Sequence, residues 1–306
     1  MLKEKIINRK SGIITYGITP PKKNSTLEKI NEVAQKQIER INSLDIDGLV
    51  LYDLQDEKDR NPKDRPFPFL ETIDPYTYST EYLKDIKVPK IIYRCVGKYT
   101  QDCFRRLIKP VDGEDSFSVF VGAASRNQTV HLKLSDAYKI RKEVNPNLLL
   151  GGVLIPERHM KNADEHLRII EKIDKGCKFF ISQAVYNVET AKDFLSDYYY
   201  YCKDKKLNMV PIIFTLTPCG STKTLEFMKW LGISIPRWLE NDLMNSEDIL
   251  NKSVSLSKSI FGSLMDFCAE KGIPIGCNIE SVSVRKVEIE ASISLAKDIK
   301  AMMKDF

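Results

Sequence analysis

Apolar runs and polar stretches alternate along the chain with a regular beat. Eight runs rich in Ile, Val, Leu and Phe recur, at Gly12–Thr19, Asp47–Asp53, Lys90–Val96, Ser116–Gly122, Leu148–Pro156, Lys178–Val185, Met209–Pro218 and Pro274–Ser283. Most are continuously apolar, which is the pattern of parallel strands covered on both faces. The stretches between them carry helical signals. Asn24-Ser25 precedes Thr26–Ser43, whose Ile30, Val33, Ile38 and Ile41 fall broadly on one stripe. Thr100–Val111, Leu134–Val144, Ala163–Lys175 (closed by Gly176) and the segment from Arg285 onward read in the same way. Extra helical material, Ile235 to Lys271, interrupts the repeat between the seventh and eighth runs. The alternation predicts an α/β fold, a single (β/α)8 TIM barrel over residues 1–306 with added helices between strands 7 and 8.

A parallel barrel keeps its chemistry at the C-terminal ends of its strands, so the polar residues just after each run are the candidates. They are Tyr16 and Thr19, Asp53, Tyr93, Ser125, Glu157 and His159, Gln183, and Asn278 with Glu280. The carboxamide of Gln183 offers donors and an acceptor, which suits the edge of a fused heterocycle such as a pterin. A Gln tying two loops together has the same composition. His159 is one of three histidines and suits ligand binding, acid–base work or a backbone contact. Asp53, Glu157 and Glu280 are candidate general acids, provided burial lifts their pKa toward neutrality. Lys172 has the reach for a phosphate or carboxylate, or is simply solvated on its charged helix. The charged, Pro-broken segment 55–68 is longer than a usual strand-to-helix loop and reads as a solvated loop or a lid. No phosphate loop, nucleophile elbow or dinucleotide fingerprint is present.

Composition narrows the classes. With 42% hydrophobic and 29% charged residues, the chain is an ordinary globular protein. A net charge of +5 with mixed signs gives no case for nucleic acid and suits small anions. Met1–Lys10 has no apolar core of a signal peptide, and no run reaches the roughly 18 apolar residues of a membrane span. Seven scattered cysteines without a CxxC pair point to a reducing, cytoplasmic setting, and no zinc-ligand spacing stands out. Cys219, in the turn after the seventh run, falls on the expected catalytic face. Oligomeric state, a homo-oligomer included, stays open.

Several blocks together resemble the methylenetetrahydrofolate reductase family. Tyr16-Gly17-Ile18-Thr19-Pro20-Pro21-Lys22 is similar to its first-strand turn. Ile155-Pro156-Glu157-Arg158-His159, Glu165 through Lys172, Gly176 and Ile181-Ser182-Gln183 follow its strand-five-to-six block. Trp230 to Leu239 and Ile273 to Ile289 resemble its later segments. The resemblance implies NAD(P)H, FAD and a tetrahydrofolate substrate, with methylenetetrahydrofolate reduced to 5-methyltetrahydrofolate. It implies folate contacts from Gln183, Ser125 and Tyr16, and flavin contacts from His159, Lys172, Tyr93 and Glu165. The chain departs from the pattern at two places. The family's first-strand acid aligns with Gly17, and its Arg-Gly-Asp after strand four aligns near Ala123-Ala124-Ser125. Losing an acid–base group typically costs about 10²–10⁴-fold in rate, so Asp53, Glu157 or Glu280 must replace it or the chemistry differs. Three readings follow: a folate reductase of this type, a flavin-independent folate one-carbon transferase, and a non-catalytic folate-binding subunit.

Overall fold

The computed structural model describes residues 1–56, 61, 63–111, 116–123 and 129–305. Eight parallel strands close a barrel in sequential order: β1 (Ile13–Ile18), β2 (Gly48–Leu51), β3 (Lys90–Cys95), β4 (Phe117–Val121), β5 (Leu149–Leu154), β6 (Cys177–Ala184), β7 (Ile212–Leu216) and β8 (Ile275–Glu280). Closure is direct, with Ile13 to Gly17 paired against Gly276 to Glu280. Seven strands fall inside the apolar runs expected for them, and β6 begins one residue earlier, at Cys177. The helices α1 (Leu2–Ile7), α2 (Leu27–Asn42), α3 (Pro75–Glu81), α4 (Gln101–Leu107), α5 (Leu134–Val144) and α6 (Pro156–Asn162) come from the first half. The second half adds α7 (Glu165–Asp174), α8 (Val188–Asp204), α9 (Thr222–Trp230), α10 (Arg237–Met244), α11 (Ile249–Lys271) and α12 (Lys286–Met302).

Alternate strand positions feed two apolar cores. Ile13, Val50, Ile91, Val119, Phe179, Ile181 and Ile213 fill the barrel, while Ile14, Leu49, Phe120, Phe180, Phe214 and Ile279 pack outward against the helices. The barrel's N-terminal end is plugged by α1, which the apolar pattern did not announce because only Leu2 and Ile6 turn inward. Both are almost completely buried, worth about 1.5–3 kcal/mol each in removed apolar surface. Gly48 makes room for the plug: a Cβ there would lie 2.9 Å from Leu2 Cδ2. Lys5 fixes the helix to the barrel by reaching Gly12 O and Asp47 Oδ2, each at 2.8 Å.

Three helical segments differ in their bounds, and α4 ends at Leu107 rather than Val111. The helix expected from Ala163 begins at Glu165, and a separate short helix, α6, precedes it, because Ala163 sits in the left-handed region at φ 49°. The material from Ile235 to Lys271 is two helices, with Asp248 capping the second through Asn251 N. Among the described residues, no helix is long and apolar enough to cross a membrane.

Candidate functional site at the barrel mouth

The open C-terminal end of the barrel carries a connected polar floor. Thr15 Oγ1 donates to Asn278 Oδ1 at 2.9 Å, and Asn278 Nδ2 donates to Tyr52 Oη at 2.8 Å and Thr215 Oγ1 at 3.2 Å. Thr215 Oγ1 in turn donates to Ser182 O at 2.6 Å. With every donor here matched to an acceptor, Asn278 is locked, and through it Tyr52. Tyr52 meets Tyr93 edge to face with ring centroids 4.8 Å apart, and its hydroxyl also hydrogen-bonds the Glu280 carboxyl.

Glu280 is the carboxyl on this floor. Removal from water pushes its pKa up to about 7, and the hydrogen bond from Tyr52 pulls the other way. Burial, and then the charge of Glu280, raise the phenols of Tyr52 and Tyr93 well above their ordinary value. Of the titratable groups gathered here, Glu280 alone changes charge near neutral pH.

Register explains how this acid relates to the missing one. Gly17 is the direct neighbour of Glu280 across the β1–β8 seam. A Cβ at Gly17 would lie 2.7 Å from Tyr52 Cε2 and 3.1 Å from its hydroxyl. The space where the family's first-strand acid begins is therefore filled by the Tyr52 ring. Tyr52 was not among the sequence candidates. The signal that could have found it is the inward parity of Val50 and Tyr52 beside a strand position without a side chain.

Gln183 stands where β6 slips register against β7, between the pairs Ile181–Ile213 and Ala184–Thr215. Such a bulge re-aims side chains, and bulges are common beside active sites. Gln183 Nε2 donates to Leu231 O at 2.9 Å, while Oε1 is buried and accepts nothing. The loop that Gln183 grips is held a second time, by Ser234 N donating to Glu157 Oε1 at 3.3 Å. The segment after β2 reaches the same region. Trp230 Nε1 donates to Lys63 O at 2.8 Å, and Arg65 lies over the rings of Phe227 and Trp230 at 4.9 and 5.3 Å. Residues 63–69 are thus tied to α9 through Lys63 O and Arg65, while Lys63, Asp64 and Pro68 stay exposed, and residues 57–60 and 62 lie outside the described set.

Other expected site residues are placed elsewhere. Tyr16 points outward from β1, where its hydroxyl meets Ser292 Oγ of α12 at 2.5 Å; its one-position offset from Gly17 sends it to the opposite face. Asp53 is a structural clip. Its carboxylate accepts from Cys95 N at 2.7 Å and from Lys98 Nζ at 2.5 Å. Lys98 and Asp53, with Lys23, Tyr99 and Phe69, border a cavity of about 470 Å3 over the β2–β3 edge. Ser125 lies outside the described residues. Cys219 is buried, and burial pushes its thiol up to about 12, which leaves it inert as a nucleophile at neutral pH.

The residues expected to hold a flavin do not share a surface. Lys172 Nζ donates to Val153 O at 2.7 Å and lies over Phe180, in the layer between β5 and α7; burial lowers its pKa and the nearby Glu165 raises it. Glu165 is fully buried and accepts from Ile155 N at 3.0 Å, with its pKa raised by that burial. His159 faces Asp197 of α8 at 3.1 Å. Tyr93 lies inside the barrel with Tyr52. This set does not fit FAD, because His159, Lys172 and Glu165 lie on helices outside the strands while Tyr93 lies inside the barrel, so no single surface carries all four.

A closed parallel barrel with a polar, titratable mouth is the architecture of a small-molecule site. The comparisons define it further. The family model described as methylenetetrahydrofolate reductase matches residues 127–272. An uncharacterised protein from Clostridium thermocellum, which binds two copies of 5-methyl-5,6,7,8-tetrahydrofolic acid, is 77% identical, with a TM-score of 0.90 over 99% of this chain and 100% of that one. The chain belongs to the methylenetetrahydrofolate reductase family. A putative deoxyribose-phosphate aldolase from Toxoplasma gondii ME49 is 11% identical, with a TM-score of 0.44 over 97% of this chain and 98% of that one, and carries no argument. No curated protein matches the chain.

Proposed function

We propose that the chain binds a reduced folate of the 5-methyltetrahydrofolate class at the barrel mouth and performs one-carbon chemistry on it without flavin. The observation that carries this reading is the buried, unpartnered Oε1 of Gln183 on the same open end as the titratable Glu280. An orphaned acceptor in a native structure calls for a ligand donor or a water, and the amino-pyrimidine edge of a pterin supplies such donors. The relative from Clostridium thermocellum binds 5-methyltetrahydrofolic acid, which supports the ligand class.

Glu280 fits the proton transfer that methyl chemistry needs. When a methyl group leaves N5 for a nucleophilic acceptor, the C–N electron pair stays on nitrogen, which takes a proton. A carboxyl whose pKa lies near 7 is matched to that task. Tyr52 and Asn278 orient it. The dispersed positions of His159, Lys172 and Glu165 favour group transfer over a flavin-mediated reduction.

The test offers labelled 5-methyltetrahydrofolate with a thiol acceptor, and separately methylenetetrahydrofolate with NADH or NADPH, each with and without FAD. Methyl transfer independent of FAD and lost in Glu280→Gln is the expected result. Reduction that requires FAD and is indifferent to Glu280→Gln would overturn the reading.

A further inference from the structure

Two of the chain's three histidines converge with one aspartate outside the barrel. His159 comes from α6, His166 from α7 and Asp197 from α8, three helices that pack on one another. The ligand atoms of the trio all lie within 4.8 Å of one another, the one such grouping among the described residues. His159 Nε2 stands 3.1 Å from Asp197 Oδ2. Two ligands sharing a tetrahedral zinc at about 2.0 Å are separated by roughly 3.3 Å, so this pair already has a suitable spacing.

Solvation and packing point the same way. The Nδ1 atom of His166 is buried and meets no hydrogen-bond partner, which is uncommon for buried polar atoms. His159 is 5% exposed, whereas the side chain of Asp197 is 49% exposed. The cluster therefore has a fixed inner wall and an outer ligand free to turn toward an ion arriving from solvent. Phe194 meets the ring of His159 edge on, and Tyr201 does the same for His166, which restrains both imidazole planes. The left-handed turn at Ala163 separates α6 from α7 and allows both histidines to face α8.

We propose that His159, His166 and Asp197 bind one divalent transition-metal ion of the zinc class, with water completing its coordination. Two imidazoles and one carboxylate suit zinc or cobalt, whereas magnesium and calcium prefer all-oxygen shells. The ion joins α6, α7 and α8 from the outside. It leaves the barrel mouth untouched, so the site stands or falls independently of the folate reading.

The experiment uses the full chain, stripped with a chelator and titrated with Co²⁺ and then Zn²⁺. One Co²⁺ per chain with visible absorption bands is expected, displaced by Zn²⁺, with a melting temperature that rises in the presence of Zn²⁺. His166→Gln and Asp197→Asn, both on the more open side of the cluster, should each weaken binding at least about tenfold. Melting of the metal-free variants, unchanged from the parent, shows that they fold. Cys103→Ser, at the least buried cysteine, should leave affinity unaltered. The proposal fails if Co²⁺ binds His166→Gln and Asp197→Asn as well as the parent, if Cys103→Ser abolishes binding, or if Zn²⁺ shows saturable binding only in the millimolar range.

Discussion

The ring of Tyr52 fills the volume that a side chain on Gly17 would enter, with Cε2 2.7 Å from the position of the absent Cβ. The glycine and the tyrosine are one arrangement, and the carboxyl beside it is that of Glu280, paired with Gly17 on the adjacent strand. Restoring a carboxylate at position 17 therefore means overpacking a locked floor. Gly17→Glu should cost about 1–3 kcal/mol of stability, seen as a lowered denaturation midpoint, and should not raise turnover. Combining it with Tyr52→Ala should recover part of the loss. A stable Gly17→Glu single variant would show that the floor is softer than its hydrogen bonds imply.

Glu280 links activity to stability with a definite sign. Its folded pKa of about 7 lies above the ordinary carboxyl value. Both states are protonated at acid pH. As pH rises from about 4.5 to 7 the unfolded carboxyl ionises first, so folding loses stability over that window, by about 3 kcal/mol in all. Glu280→Gln, which stays neutral, should flatten that decline and be more stable than the parent at pH 8. The same variant should lose about 10²–10⁴-fold in turnover. Urea denaturation at pH 5 and pH 8 checks the first part; equal pH slopes in parent and variant would count against the raised pKa.

Asp53 separates a structural acid from a catalytic one. Its carboxylate is spent on Cys95 N and Lys98, so Asp53→Ala leaves a buried N–H without an acceptor and should destabilise by about 1–3 kcal/mol. Turnover per folded molecule should persist. A variant of parental stability with no activity would return Asp53 to the list of proton donors.

The barrel was legible because most strands are nearly continuous apolar runs, as doubly covered parallel strands require, and they recur at a regular spacing. The placement of Gln183 and Glu280 at the C-terminal ends of β6 and β8 was legible too, because both follow directly from the apolar runs. Tyr52 was not, because its role depends on lateral register with Gly17 and Asn278, and no local pattern encodes which strand positions become neighbours. Tyr16 and Asp53 were misplaced as site groups for a related reason. One residue along a strand exchanges the inside of the barrel for its outside, and a neighbouring lysine and amide can consume a carboxylate that looks free. The convergence of His159 and His166 was hidden because the separate helix α6 and the left-handed turn at Ala163, which aims both histidines at α8, have no apolar periodicity of their own.

Calorimetric titration of the parent and Gln183→Ala with 5-methyltetrahydrofolate tests the central claim most directly, with melting of the variant measured alongside because the Leu231 contact is lost as well. Saturable binding to the parent, weakened by about 1–3 kcal/mol in a folded Gln183→Ala, is the predicted result. No binding heat with the parent, or the same affinity in the variant, would contradict a pterin read by Gln183 at the barrel mouth.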